Sequence, residues 1–229
     1  SSTLYQYDFS LVNQAYPASF GTSLRGDGDG FPSTFHRPLY QKSTLQQGVT
    51  FTWEVPATCI SGLRCFNEFA HPTKVSRFSS PGSSRTDDTE YEQNPTRWVI
   101  GQVKKETLGG IVAAEATYDP VTASQLTYKS FSKLLQTLTY NADGTVATVK
   151  DGNNNVTTLS NWKAGIPRLV TFPATAEAPA GATQSAVVNN LGWIDSVTNE
   201  MGATTGYSYD VMGRLSQITY PTGNTPAWL

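Results

Sequence analysis

The strongest constraint on the fold is an internal repeat that starts from a glycine. Segments beginning at Gly144, Gly192 and Gly213 align with one another, and each carries an aliphatic residue at the second and fifth positions after the glycine. A weaker copy begins at Gly165 and has proline at the earlier position. Successive glycines are roughly 21 to 27 residues apart, which fits two short strands with their turns. Because one such unit cannot bury its own apolar face, neighbouring units must stack or pair side by side.

The best-preserved unit predicts a hairpin. Tyr207 and Tyr209 alternate and therefore share one face of a strand. The Asp210 side chain can accept hydrogen bonds from backbone amides two residues ahead, and Gly213 can take the positive φ that closes the turn. The return strand begins at Arg214. An earlier hairpin repeats the pattern with asparagine in place of the aspartate, which fits a structural role better than one that depends on charge. The residues that we assign to this structural repeat motif are Tyr140, Asp143, Gly144, Tyr207, Tyr209, Asp210, Gly213, Arg214 and Leu215.

The composition favours an all-β protein. Aromatic residues make up 11% of the chain, with 19 glycines and 13 prolines, while charged residues make up only 15%. Aromatic and β-branched side chains suit a half-buried sheet, and glycine, asparagine and proline suit its turns. No long segment combines helical periodicity with a cap. We therefore expect a repeat-built antiparallel sheet of consecutive hairpins.

The same sequence argues against several classes of function. Its 16 basic and 18 acidic residues are interspersed and give a net charge of −2, so no basic stripe for a nucleic acid is present. The longest apolar run, residues 109–114, is far shorter than a membrane span. The two histidines, His36 and His71, accompany no hydrolase or metalloprotease motif. An acidic cluster at residues 87–92 reads as a polar loop entering a strand. We predict no enzymatic activity.

The motif Tyr209-Asp210-x-x-Gly213-Arg214-Leu215 resembles the signature of the RHS, or YD, repeat family. Residues 66–75 resemble a degenerate form of it, with phenylalanine, asparagine, alanine and histidine at positions where the family pattern has tyrosine, aspartate, glycine and asparagine. The resemblance extends over about residues 66–226 and is strongest within 140–223. It divides the chain into an N-terminal β-rich region with irregular loops, residues 1–65, and a repeat region, residues 66–229.

The resemblance implies that the strands form an arc of a spiral shell. Relatives include bacterial RHS proteins, the shells of insecticidal toxin complexes and teneurin barrels. In toxin members the shell holds a C-terminal effector. We therefore expect a structural segment of a secreted or cell-surface bacterial protein, whose partners are the remainder of a larger parent chain or its enclosed effector domain. Only Asp119-Pro120 is left of the family's self-cleavage motif, so we expect no autoproteolysis.

Three features leave alternatives open. Cys59 and Cys65 are close enough in sequence for a disulfide that staples a loop, although they can also be two unrelated thiols. Asp27 and Asp29 alternate on a glycine-rich loop and can present oxygens to Ca²⁺, but a solvated turn is the simpler interpretation, and we expect no cofactor. Exposed Tyr and Trp side chains can stack on sugar rings, which makes a cell-surface carbohydrate-binding or adhesion module the alternative function.

The edges of the predicted sheet are the last feature. The final complete unit ends at Gly223, close to Leu229, so no further hairpin follows it in this chain. We expect self-association through open strand edges, or an edge blunted by irregular chain or by proline.

Overall fold

The computed structural model describes residues 1–7, 38–57, 59, 64–221 and 227–228. These residues form strands, turns and loops without a helix, and the chain divides into two compact units, Ser1–Lys133 and Leu134–Leu229. None of the described residues belongs to a helix able to cross a membrane. The all-β prediction is confirmed. The division into an N-terminal region, residues 1–65, and a repeat region, residues 66–229, stays a prediction.

The first unit is a meander in which every strand pairs antiparallel with the next one along the chain. Its strands are β1 (Ser2–Tyr7), β2 (Leu39–Gln46), β3 (Val49–Glu54), β4 (Lys74–Ser79), β5 (Ser84–Asn94), β6 (Val99–Leu108), β7 (Ile111–Tyr118) and β8 (Gln125–Ser130).

The second unit continues the same scheme, again by antiparallel pairing of consecutive strands. Its strands are β9 (Lys133–Tyr140), β10 (Val146–Asp151), β11 (Val156–Ser160), β12 (Leu169–Thr171), β13 (Thr183–Val188), β14 (Ile194–Thr198), β15 (Thr204–Tyr209), β16 (Leu215–Thr219) and β17 (Ala227–Trp228). The predicted consecutive hairpins are therefore present.

A β-bulge explains the repeat spacing that the sequence shows. In β16, Leu215 lies opposite Tyr209 and Ile218 lies opposite Tyr207, and the register shifts between these pairs. Residues three apart normally point to opposite faces of a strand, but one extra residue at Ser216 brings both aliphatic side chains onto the face of the two tyrosines. The same shift occurs at the start of β10 and of β14.

Apolar burial is concentrated at one corner of the first unit. Val55, Cys65 and Val75 are buried together there, and Tyr40, Trp53 and Phe66 pack against them. Elsewhere most strand residues are half-buried. Backbone hydrogen bonds and side-chain contacts between adjacent strands therefore provide much of the stabilisation of the fold, as expected when each hairpin contacts chiefly its neighbours.

Candidate functional site

The repeat turn is a five-residue loop held by its first side chain. At Asp210–Arg214, the Asp210 amide donates to the Arg214 carbonyl at 2.9 Å, and the Gly213 amide donates to the Asp210 carbonyl at 2.9 Å. One carboxylate oxygen of Asp210 accepts from the amides of Met212 and Arg214, both at 2.9 Å. The other accepts from Arg214 Nε at 2.7 Å. Asp210 therefore satisfies the exposed backbone amides of the turn.

The same loop recurs in both units. In each case the side-chain oxygen of the first residue accepts from the amides of the third and fifth residues, and the fourth residue has positive φ. The further copies begin at Asn67, Asp151, Asn189 and Asn199. The turns at Asp151 and Asn199 lack the Gly-Arg pair that ends the turn at Asp210, so the repeat motif does not predict them. The sequence feature that predicts these two turns is an aspartate or asparagine three positions before a residue that tolerates positive φ, Asn154 or Gly202.

Two of the predicted turns differ from this pattern. At Asn141–Thr145 the backbone bonds are kept, but the Thr145 amide donates to Asp143 at 3.0 Å, and Asn141 Nδ2 donates to the Thr145 hydroxyl. At Gly165 the chain makes a tight turn in which Lys163 and Ile166 exchange two backbone bonds of 3.0 Å. The weaker copy therefore has a shorter loop, which agrees with its deviating sequence.

Tyr209 ties its hairpin to the preceding strand. Its hydroxyl donates to the Ile194 carbonyl at 2.8 Å, and its ring lies 5.1 Å from the ring of Trp193. Trp193 in turn occupies the space above Gly213, where an added Cβ would stand 2.6 Å from the indole Cζ2. A glycine is required at 213 for two reasons, the positive φ and this close approach.

The first unit contains the same arrangement with different residues. The Tyr91 hydroxyl donates to the Pro72 carbonyl at 3.0 Å, and its ring lies 5.2 Å from that of His71. A Cβ on Gly101 would stand 2.6 Å from the His71 ring. In both units the ring belongs to the fifth residue of a repeat turn, and the tyrosine bonds the carbonyl of the next residue. His71 is thus a packing residue of the degenerate repeat.

Electrostatics tune the same turns. The backbone amide of Arg214 lowers the pKa of Asp210, and the Arg214 side chain lowers it further. The pKa of Asp151 is lowered by the side chain and then by the backbone of Asn155, and the pKa of Asp143 by the side chain and backbone of Thr145. These carboxylates are held in the charged form as hydrogen-bond acceptors, which differs from the raised pKa of a general acid.

The acidic cluster of residues 87–92 lies within β5, where its carboxylates pair with Arg85 of the same strand and with cations on the neighbouring strands β4 and β6. Asp87 lies 2.8 Å from Nε of both Arg77 and Arg85. The other pairs are Asp88 with Lys74, Glu90 with Lys105 and Glu92 with Lys104. Burial alone raises the pKa of Asp87, but the two guanidinium groups outweigh burial and lower it. The cluster is part of the strand, whereas the sequence had suggested a loop.

The remaining predicted residues have separate positions. Cys59 and Cys65 form a disulfide with a Cα–Cα distance of 5.0 Å, next to the buried corner. Asp27, Asp29 and His36 lie outside the described residues. Within the described ranges, no group of three or more His, Cys, Asp or Glu side chains is arranged to hold a metal ion.

Comparison with known proteins agrees with this geometry. Residues 189–225, which include the turns at Asn189, Asn199 and Asp210, match the family model of the RHS repeat. The chain is 29% identical over 110 residues to human Teneurin-4, and the match covers 41% of the chain and 4% of that protein. The mouse Teneurin-4 matches with the same identity and coverage.

Solved structures share the fold. The crystal structures of TcdB2-TccC3-Cdc42 and of TcdB2-TccC3 without its hypervariable C-terminal region each match 82% of the chain, with a TM-score of 0.53 and 11% sequence identity. The match spans only 11% of those chains. The chain therefore corresponds to a small part of the length of its relatives.

Proposed function

We propose that the chain is a member of the RHS/YD-repeat family and forms a non-catalytic wall segment of a larger parent protein that encloses or presents a C-terminal effector, a proposal supported by the RHS-repeat match at residues 189–225. The observation that carries this proposal is the repeated tyrosine contact, in which a tyrosine of each of two hairpins bonds the backbone carbonyl that follows an earlier repeat turn. A device that links neighbouring hairpins extends naturally along a chain of repeats. The fold shared with far longer chains supports the same conclusion.

The side chains of the repeat support a structural role. The turn carboxylates accept backbone amides, and the acids of β5 pair with cations, so these groups already have partners that suit structure. The Cys59–Cys65 disulfide supports a secreted or cell-surface location, because such bonds persist in oxidising compartments. We also propose that the parent protein is bacterial, that it is exported, and that it encloses the effector.

Protease protection in the parent protein tests the enclosure. A specific protease site is inserted into the segment that follows the repeats, and its cleavage is followed with the intact wall and with Gly213→Val. We expect slow cleavage behind the intact wall and faster cleavage once the Gly213 turn is disrupted, because Trp193 is displaced. Equal cleavage in both proteins, at the rate of an unfolded substrate, contradicts enclosure. Gly202→Val is the control for turn strain alone, since a Cβ there meets nothing within 4 Å.

A further inference from the structure

We propose that the open face of β1–β5 binds a linear anionic polysaccharide. Five residues lie directly opposite one another along a single line across these strands, in the order Tyr5, Lys42, Trp53, Arg77 and Arg85. Residues directly opposite in antiparallel strands share a face, so the line places two aromatic and three cationic side chains on one surface, alternating from Tyr5 to Arg77. With strands about 4.8 Å apart, it extends for about 19 Å. We call it the aromatic–cation row.

A second line beside the row supplies hydroxyl groups and another ring. Thr3, Thr44, Phe51 and Ser79 lie opposite one another in the same register. Phe51 is 51% exposed and Tyr5 is 49% exposed, so both rings are accessible. Sugar recognition uses such a combination, because a ring stacks on the apolar face of the sugar and hydroxyl or charged groups bond its polar substituents.

The surface is a shallow, open depression that borders the buried corner. A cavity of about 760 Å³ lies over β2–β5 and is lined by Lys42, Phe51, Trp53, Arg77 and Arg85 among others. Trp53 packs against the buried corner formed by Val55, Cys65 and Val75, which lies at one end of the same face. The corner that contains the disulfide-linked Cys65 therefore supports Trp53 and leaves the rest of the row open beside it.

The charge of the row selects an anion. Three cations stand here with one carboxylate, Asp87, whereas the whole chain has a net charge of −2. Arg77 and Arg85 lie directly opposite each other, which is unfavourable for like charges unless an anion lies between them. The buried Asp87 carboxylate contacts both guanidinium groups and balances one of their two charges, while the two arginine side chains stay 50% and 51% exposed. The surplus positive charge faces solvent.

The alternation of rings and cations favours an anionic sugar chain over other polyanions. Tyr5 and Trp53 are two strands apart, about 9.6 Å, and cations stand between and beyond them. A polysaccharide whose rings alternate with sulfate or carboxylate groups can place a ring on each aromatic and an anion on each cation. An acidic peptide would use the cations but leave the rings without a flat partner. Three cations are also few for a nucleic acid backbone.

The test measures binding of a heparin hexasaccharide to the whole chain by isothermal titration calorimetry. We expect saturable binding that weakens with added salt, because exposed charges are screened. The double variant Lys42→Gln with Arg77→Gln should lose about tenfold or more in affinity, whereas Tyr5→Ala should lose affinity with little change in the salt dependence. Thermal melts of each variant establish that it is folded before binding is compared.

A charge-matched control separates the row from the rest of the surface. Lys74→Gln with Lys129→Gln removes the same charge, since Lys74 lies on the opposite face of β4 and Lys129 lies on β8. We expect its affinity to stay within about twofold of the unaltered chain. Equal losses in both double variants overturn the proposal, as does binding of polyglutamate or oligo-dT as tight as that of the hexasaccharide. Failure here leaves the wall function intact, because the row contains none of the repeat turns.

Discussion

Replacement of Gly213 by alanine tests the repeat contact in a way that the structure makes quantitative. Gly213 and Gly202 both occupy the fourth position of a repeat turn, with φ of +79° and +77°. Alanine at either position incurs the left-handed backbone cost of about 1–2 kcal/mol. The natural Ala70, with φ of 60° at the same position of its turn, shows that this cost can be tolerated.

Gly213→Ala has a second cost that Gly202→Ala lacks. Its Cβ would stand 2.6 Å from Trp193 Cζ2, far inside the ordinary contact distance of about 3.5–4.0 Å. Trp193 must then shift and weaken its contact with the Tyr209 ring. Overpacking of this kind costs about 1–3 kcal/mol. We therefore expect Gly213→Ala to lower the free energy of unfolding by about 2–5 kcal/mol, against about 1–2 kcal/mol for Gly202→Ala.

Urea unfolding of both variants measures this difference. The Trp193→Ala background provides a double-mutant cycle, since removing the indole should erase the extra cost of Gly213→Ala while the turn strain stays. If Gly213→Ala and Gly202→Ala are equally destabilising, or if the extra cost persists without Trp193, the indole does not determine the need for glycine at 213.

Three further predictions concern single groups. Tyr209→Phe removes the hydrogen bond to the Ile194 carbonyl and should lower the free energy of unfolding, measured in urea melts, by about 0.5–1.5 kcal/mol. Tyr207→Phe should have a smaller effect, and equal effects of the two variants would contradict a stabilising role of this hydrogen bond. Asp210 has a lowered pKa, so its contribution to stability is present above its unfolded pKa of about 3.9 and is lost as pH falls through the folded pKa. Urea melts at a series of acidic pH values should therefore show a smaller loss of stability below about pH 4 for Asp210→Asn than for the unaltered chain. An unchanged acid transition would refute this role of the carboxylate. Leu4 is exposed on β1, which pairs with β2 alone among the described strands and so leaves one edge open. Leu4→Lys should therefore reduce self-association in a light-scattering concentration series. Unchanged association would exclude this edge as the contact.

Much of the fold could be predicted because the residue types at fixed positions of the repeat determine its turns and strands. The Asx residue and the turn glycine specify the loop at Asp210–Arg214, and the alternating tyrosines specify the strand before it. The aliphatic spacing also contained the β-bulge at Ser216, since side chains three residues apart can share a face only if a residue is inserted between them.

Contacts that depend on register between distant segments could not be predicted. The tie between Tyr91 and Pro72 and the alignment of Lys42 with Trp53 and Arg77 follow from strand pairing. One residue of register shift would move these side chains to the other face, and local sequence does not determine that choice. The acids after Ser84 lie in a strand and not in the predicted loop, and most of their cationic partners, Lys74, Arg77, Lys104 and Lys105, lie on other strands, where the local sequence does not reveal them.

A cryo-electron microscopy reconstruction of the parent protein, at a resolution that separates strands, tests the central claim most directly. We expect the described strands to form part of a wall, with further hairpins paired beyond this segment and the C-terminal segment on the inner side. A reconstruction in which this chain forms a separate domain, with no repeats paired to it and the C-terminal segment in open solvent, would contradict the account.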